Sequence, residues 1–166
     1  GWKIPFNLVK EFRDFPVYEE DFVGAPAAPD AAPPVLSTFN TPFIQLVFVN
    51  FYLGTAEGAL QAAVDYVRTT TRPWLTSGVE RAADDPYILE RVGEFTAALK
   101  ASAALADHAA SAVQAGLARG SDVTARERGE AAAEAYTAKV HATHVALDIT
   151  SRVFELTGAR STADKY

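Results

Sequence analysis

Two segments of this sequence carry residue types that could do chemistry. The run Tyr66-Val67-Arg68-Thr69-Thr70-Thr71-Arg72-Pro73-Trp74 places two arginines and two aromatic rings at what reads as a helix end. The run Phe154-Glu155-Leu156-Thr157-Gly158-Ala159-Arg160-Ser161-Thr162 is a second helix end, breaking into a loop of small residues with one arginine. Guanidinium forks and loop amides suit phosphate oxygens. Basic side chains also cap the last carbonyls of helices, which is the commoner role. Side-chain chemistry alone leaves the choice open.

The histidines offer less. His141 and His144 stand three apart on one predicted helix, with Asp148 a turn further on, which suggests a metal pair or a histidine–carboxylate relay. A metal would need ligands from another helix, and the sequence has no Glu-x-x-His pair. A plain i,i+4 contact between His144 and Asp148 is the simpler expectation. His108, beside Asp107 among alanines, carries still less. There is no cysteine, which excludes disulfides, thiolate metal sites and cysteine nucleophiles. Glycine-rich phosphate loops and a Gly-x-Ser-x-Gly elbow are absent. Glu80, Asp84 and Asp85 read as negative charge favoured at a helix N-terminus. No metal site and no self-sufficient active site emerge.

The elements that must position the two arginine-bearing segments are long helices. Residues 1–24 mix β-formers such as Val9, Phe12, Val17 and Phe22 with turn residues, and predict one or two strands, the remnant of a β-domain. Residues 25–37 form a Pro/Ala linker that cannot hold a helix. Residues 38–166 then read as a helical bundle, with helices over about 42–71, 86–119 and 125–157. Thr41-Pro42 and Asp85-Pro86 predict a cap followed by a first-turn proline. Thr124 with Glu127 predicts a capping box, and Gly120 and Gly158 predict left-handed helix ends.

The faces of these helices predict their neighbours. Tyr136, Val140, Leu147 and Phe154 form one apolar stripe on the third helix, and Val145, Ile149, Val153 and Leu156 form a second. Ile88, Val92, Phe95, Leu99 and Leu105 play the same part on the second helix, among alanines that permit close approach. The first helix is apolar nearly all round from Phe43 to Leu53, so it is expected to be central or to lie in a subunit interface. The fold class is therefore mainly α, a long-helix up-down bundle. Three helices leave the core open, and a fourth is expected to be missing or supplied by a partner.

Composition agrees with a packed core: 166 residues, 49% hydrophobic and 22% charged. The net charge of −6 argues against a nucleic-acid partner. No signal peptide is evident, and the run Phe43–Leu53 is interrupted by Gln45 and Asn50, well short of the ~20 residues of a membrane span. A soluble, cytoplasmic protein without membrane contact is expected. Met is absent and the chain opens at Gly1, so a truncated or processed piece is expected.

The same two arginine-bearing segments resemble the C-terminal helical domain of the acyl-CoA dehydrogenase superfamily. The run Leu53-Gly54-Thr55-Ala56-Glu57-Gly58-Ala59-Leu60, followed by Ala63 and Tyr66, is similar to that family's first C-terminal helix. The third helix running into Gly158-Ala159-Arg160 is similar to its segment ending in a flavin-contacting loop. Arg72-Pro73-Trp74, Asp85-Pro86-Tyr87, Gly93-Glu94-Phe95-Thr96 and Arg128-Gly129-Glu130 look closer to the flavin-dependent monooxygenase branch that includes the dibenzothiophene-desulfurising enzymes. Thr70 and Glu155 depart from the dehydrogenase pattern, in the same direction. The likeness covers about residues 40–166.

That resemblance implies a homotetramer, a dimer of dimers, with a flavin, either FMN or FAD, bound between the β-domain and helices of two subunits. It implies that Arg72 and Arg160 meet flavin phosphates, that Ser161 and Gly158 allow close backbone approach, and that Arg68 is a weaker candidate. It further implies a small-molecule substrate and, for a monooxygenase, a separate flavin reductase. The catalytic base or histidine of the family falls beyond Tyr166, so no catalytic residue is assigned and the isolated piece is expected to be inactive. The alternatives are an FAD-dependent acyl-CoA dehydrogenase and a non-enzymatic helical interaction module.

Overall fold

A computed structural model describes residues 31–163 together with positions 14, 16 and 18. The chain divides into two compact units, Gly1–Pro33 and Pro34–Tyr166, and the second holds the helical architecture. The strands expected within 1–24 lie outside the described residues. All regular structure among the described residues is helical. The long helices are α1 (Asn40–Thr69), α2 (Pro86–Ala118) and α3 (Ala125–Arg152), followed by a single turn, α4 (Phe154–Thr157). Short 3-10 turns occupy Val35–Phe39, Ala82–Asp84, Gly120–Asp122 and Ala159–Thr162.

Two of the three expected helix starts form as predicted. Asp85 caps α2 by accepting from the Tyr87 amide at 2.9 Å, with Pro86 in the first turn. Thr124 and Glu127 exchange the two bonds of a capping box at the start of α3. The third differs. The Pro/Ala linker was expected to reach residue 37, yet Val35–Phe39 coils as a 3-10 turn that feeds directly into α1, so Thr41 is not its cap. Pro42 is tolerated at the third helical position because amide groups in the first turn have no intrahelical acceptor. The turn carries Phe39 into the core, where it is 1% exposed.

α2 runs against the other two helices. Side-chain contacts join Glu94 to Arg152, His108 to Glu134 and Arg119 to Glu127, so numbers rise on one helix as they fall on the other. α1 and α3 run parallel, as shown by Arg128 on Thr38 and by Lys139 over the Phe48 and Tyr52 rings. The core lies along this three-helix seam. At one end Phe39, Val49, Ala109 and Val113 meet Ala135, Ala138 and Ala142. At the other, Ala56, Leu60, Val67 and Phe95 meet Val145, Ile149 and Leu156. Small residues on α3 let the helices approach closely. Gly116 shows the limit, since a Cβ there would sit 2.5 Å from the Phe39 ring.

The expected α3 stripes separate. Val145, Ile149, Val153 and Leu156 are buried, whereas Tyr136, Val140, Leu147 and Phe154 are 40%, 57%, 61% and 49% exposed. Alanines take the core positions instead, because large side chains would hold α1 and α3 apart. α1 is likewise half buried: Leu46 and Val49 face the core, while Phe43, Ile44, Val47, Phe48 and Phe51 are exposed. By length and composition alone, Val35–Thr69 is apolar enough to cross a membrane, with a mean hydropathy of 1.3 over its best window. Gln45 and Asn50, which interrupt the apolar run in sequence, do not interrupt the helix. One side of it packs on α2 and α3.

Candidate functional site

The two arginine-bearing segments meet at one end of the bundle. α1 ends where the Tyr66 carbonyl accepts from the Thr70 and Thr71 amides, at 2.8 and 3.1 Å, and the chain turns toward Arg72 and Trp74. The sequence predicts an unbroken third helix to about Thr157, but α3 breaks at Val153, and α4 continues to Gly158 at φ 70°. That left-handed conformation suits glycine and releases the chain into the Ala159–Thr162 turn. Between the two helix ends lies a cleft of about 620 Å³. Its lining includes Tyr66, Arg72, Trp74, Tyr87, Gly158 and Arg160.

Of the residues named from sequence, Arg72, Gly158 and Arg160 line this cleft together. Ser161 stands just behind the wall: its hydroxyl lies 2.7 Å from the Thr157 hydroxyl and 2.8 Å from the Gly158 carbonyl, which fastens the glycine turn. Arg68 is exposed on the last turn of α1 and is not among the cleft residues. Sequence reasoning missed Thr71, whose buried hydroxyl has no partner and lines the cleft. It also missed the first turn of α2, which contributes Asp85, Tyr87 and Ile88. The Asp85-Pro86 cap was the available signal, since it marks where α2 begins and which residues its first turn presents.

The histidine and carboxylate constellation resolves differently from expectation. Asp148 accepts from Arg152 Nη1 at 2.9 Å, so the simple His144–Asp148 contact gives way to an arginine. Arg152 also reaches Glu94 at 3.3 Å and Glu155 at 3.1 Å. Three carboxylates hold its guanidinium more firmly protonated than usual, Glu155 contributing most. Asp84 of the acidic cluster pairs with Arg81 through two 2.8 Å bonds, which hold its carboxyl below the usual carboxylate range. Among the described residues no group of three His, Cys, Asp or Glu side chains could hold a metal.

The chemistry of the cleft is thus cationic at Arg72 and Arg160, aromatic at Tyr66, Trp74 and Tyr87, and supplied with an unpartnered hydroxyl at Thr71. Such a set fits a planar, phosphate-bearing ligand: charge-assisted forks for the phosphate, rings for an aromatic body and a hydroxyl for a polar tail.

This fold and this site define a class. The acyl-CoA dehydrogenase C-terminal domain family matches residues 46–166, and the chain belongs to that family. Within it, the chain is 41% identical over 164 residues to a dibenzothiophene monooxygenase of Mycolicibacterium goodii, aligning 94% of this chain and 38% of that protein. It is 44% identical over 118 residues to a probable FMNH2-dependent monooxygenase of Pseudomonas putida, aligning 71% of this chain and 30% of that one. The crystal structure of FMN-bound TdsC from Paenibacillus sp. A11-2 superposes with a TM-score of 0.73 at 40% identity, over 78% of this chain and 32% of the other. The chain therefore spans little more than a third of the length of the relatives it matches.

Proposed function

We propose that this domain forms part of the flavin site of a monooxygenase that uses reduced FMN. The observation that carries the proposal is the convergence of Arg72, Gly158 and Arg160 on one cleft. FMN is favoured over FAD by the FMN-bound and FMNH2-dependent relatives. In this reading Arg72 and Arg160 grip the phosphate from opposite helix ends. Gly158 brings the backbone close, Ser161 holds the glycine turn, and Thr71 offers its hydroxyl to the polar tail. When bound, the reduced flavin supplies the capacity to activate dioxygen toward a small organic substrate. The contribution of this chain is to bind and orient the flavin, with the Trp74 and Tyr87 rings lining the cleft.

The reading extends to a separate reductase that supplies reduced FMN, and to a cytoplasmic setting in which the two meet. It also extends to a homotetramer in which the exposed apolar faces of α1 and α3 are covered by other parts of the assembly. Titration of FMN by fluorescence quenching tests the flavin site. Arg160→Ala and Arg72→Ala should each weaken binding roughly tenfold or more, the size of a lost charge-assisted contact. Unchanged affinity in both variants would remove the basis of the proposal.

A further inference from the structure

Two carboxylates line the cleft that Arg72 and Arg160 make attractive to a phosphate. Asp85 is 4% exposed and is committed to capping α2. Glu155 is different: its side chain is 45% exposed, on the single turn that leads into the Gly158 loop. Left bare, its charge would repel the phosphate.

It is not left bare. Glu155 Oε2 accepts from Arg91 Nε at 2.7 Å, and Oε1 accepts from Arg152 Nε at 3.1 Å. Both arginines also hold Glu94, and Arg152 holds Asp148 as well. The guanidinium of Arg152 lies 5.3 Å above the ring of Phe95, which is fully buried, so it rests on a fixed base. Arg152 is moreover the last residue of α3, immediately before the break at Val153. It stands at the joint that sets the direction of α4 and the glycine loop.

Building on the flavin reading above, we propose that Arg152 is a positioning residue that neutralises Glu155 beside the cleft. The cleft thereby keeps its attraction for phosphate. Arg91 supports it from α2. Arg152 needs no contact with the ligand to do this.

The test is FMN titration on the whole protein that contains this domain, as wild type, Arg160→Ala, Arg152→Gln and the double variant Arg152→Gln/Glu155→Gln, each with its thermal midpoint recorded. Arg152→Gln should weaken FMN at least about fivefold, as expected for unmasking one like charge near the phosphate. Removing that charge in the double variant should restore affinity to within about twofold of wild type, a coupling that a merely structural role would not produce. A loss that persists in the double variant overturns the proposal, and so does unchanged affinity in Arg152→Gln while Arg160→Ala is impaired. In the second case the flavin reading still stands; failure of the whole protein that contains this domain to bind FMN ends both. Arg91→Gln removes one of the two arginines on Glu155 and leaves Arg152 in place. It should weaken FMN in the same sense and be restored by the same Glu155→Gln change, which keeps the test open if Arg152→Gln does not fold.

Discussion

Arg128 holds Thr38 by two bonds at once: Nε donates to the Thr38 hydroxyl and Nη2 to the Thr38 carbonyl, each at 3.0 Å. The two residues are 90 positions apart in the chain. The contact locks the turn that carries Phe39 to the start of α3. Arg128→Ala should lower the stability of the domain by about 1–3 kcal/mol, because a partly buried carbonyl and hydroxyl lose a charged donor. Arg128→Lys should recover only part of this, since an ammonium cannot fork in the same way. Chemical denaturation midpoints decide it, and equal midpoints for all three proteins would show the contact to be idle.

Phe39 sets a second prediction through Gly116. A methyl group at position 116 would meet the ring at 2.5 and 2.7 Å, too close to be absorbed without moving Phe39. Gly116→Ala should therefore destabilise by about 1–3 kcal/mol, although alanine is the better helix former. Adding Phe39→Leu should recover part of the loss by making room. A stabilised Gly116→Ala protein in thermal denaturation would refute the close contact.

Acid should loosen the α2–α3 seam. Glu94 is held below its ordinary value of 4.5, chiefly by the hydrogen bond from Arg152 and also by that from Arg91. Glu127 is lowered by the Thr124 amide and hydroxyl. A carboxyl whose folded pKa is depressed adds stability that is complete above its unfolded pKa and is lost as pH falls through the folded one. The melting temperature should therefore hold above pH 4.5 and decline below it. Salt should blunt the decline because these groups are exposed. Arg152→Gln should show a shallower decline than wild type, and identical pH profiles would remove Arg152 as the cause.

The outer faces of α1 and α3 predict association. Phe51 is 67% exposed and Leu147 61%, each within a run of exposed apolar side chains. Faces of this kind mark contact surfaces. Phe51→Lys and Leu147→Lys should shift the protein toward smaller species in sedimentation velocity without lowering its helicity. Unaltered assembly in both variants would exclude these faces from the interface.

Much of this domain is legible in its sequence, and the gaps have physical causes. Asp85-Pro86, Thr124 with Glu127, Gly120 and Gly158 signal helix ends through local chemistry, and each does so in the structure. Arg72, Gly158 and Arg160 come together because both segments end helices of similar length. Arg68, one turn earlier than Arg72, is the weaker candidate that the resemblance implies, and it is not among the residues that line the cleft. The packing of α3 is harder to read because large apolar residues dominate its pattern, while close parallel helices select Ala135, Ala138 and Ala142. The break at Val153 carries no glycine or proline to announce it. Arg152, which stabilises that joint, can be recognised only once its carboxylate partners from α2, α3 and α4 are seen together.

The parallel pairing of α1 with α3 also bears on how the chain reaches its fold. The most extensive helix–helix contact joins two elements separated by the whole of α2, while the neighbours in sequence meet as simple hairpins. The hairpins close through the connections 70–85 and 119–124, whereas the parallel pair must close across the whole of α2. Assembly should therefore be limited by the docking of α1 on α3. Alanine substitutions at Val49, on that seam, should slow refolding in stopped-flow experiments more than truncations at Leu99 on the α1–α2 side, and the reverse order would place the late step elsewhere.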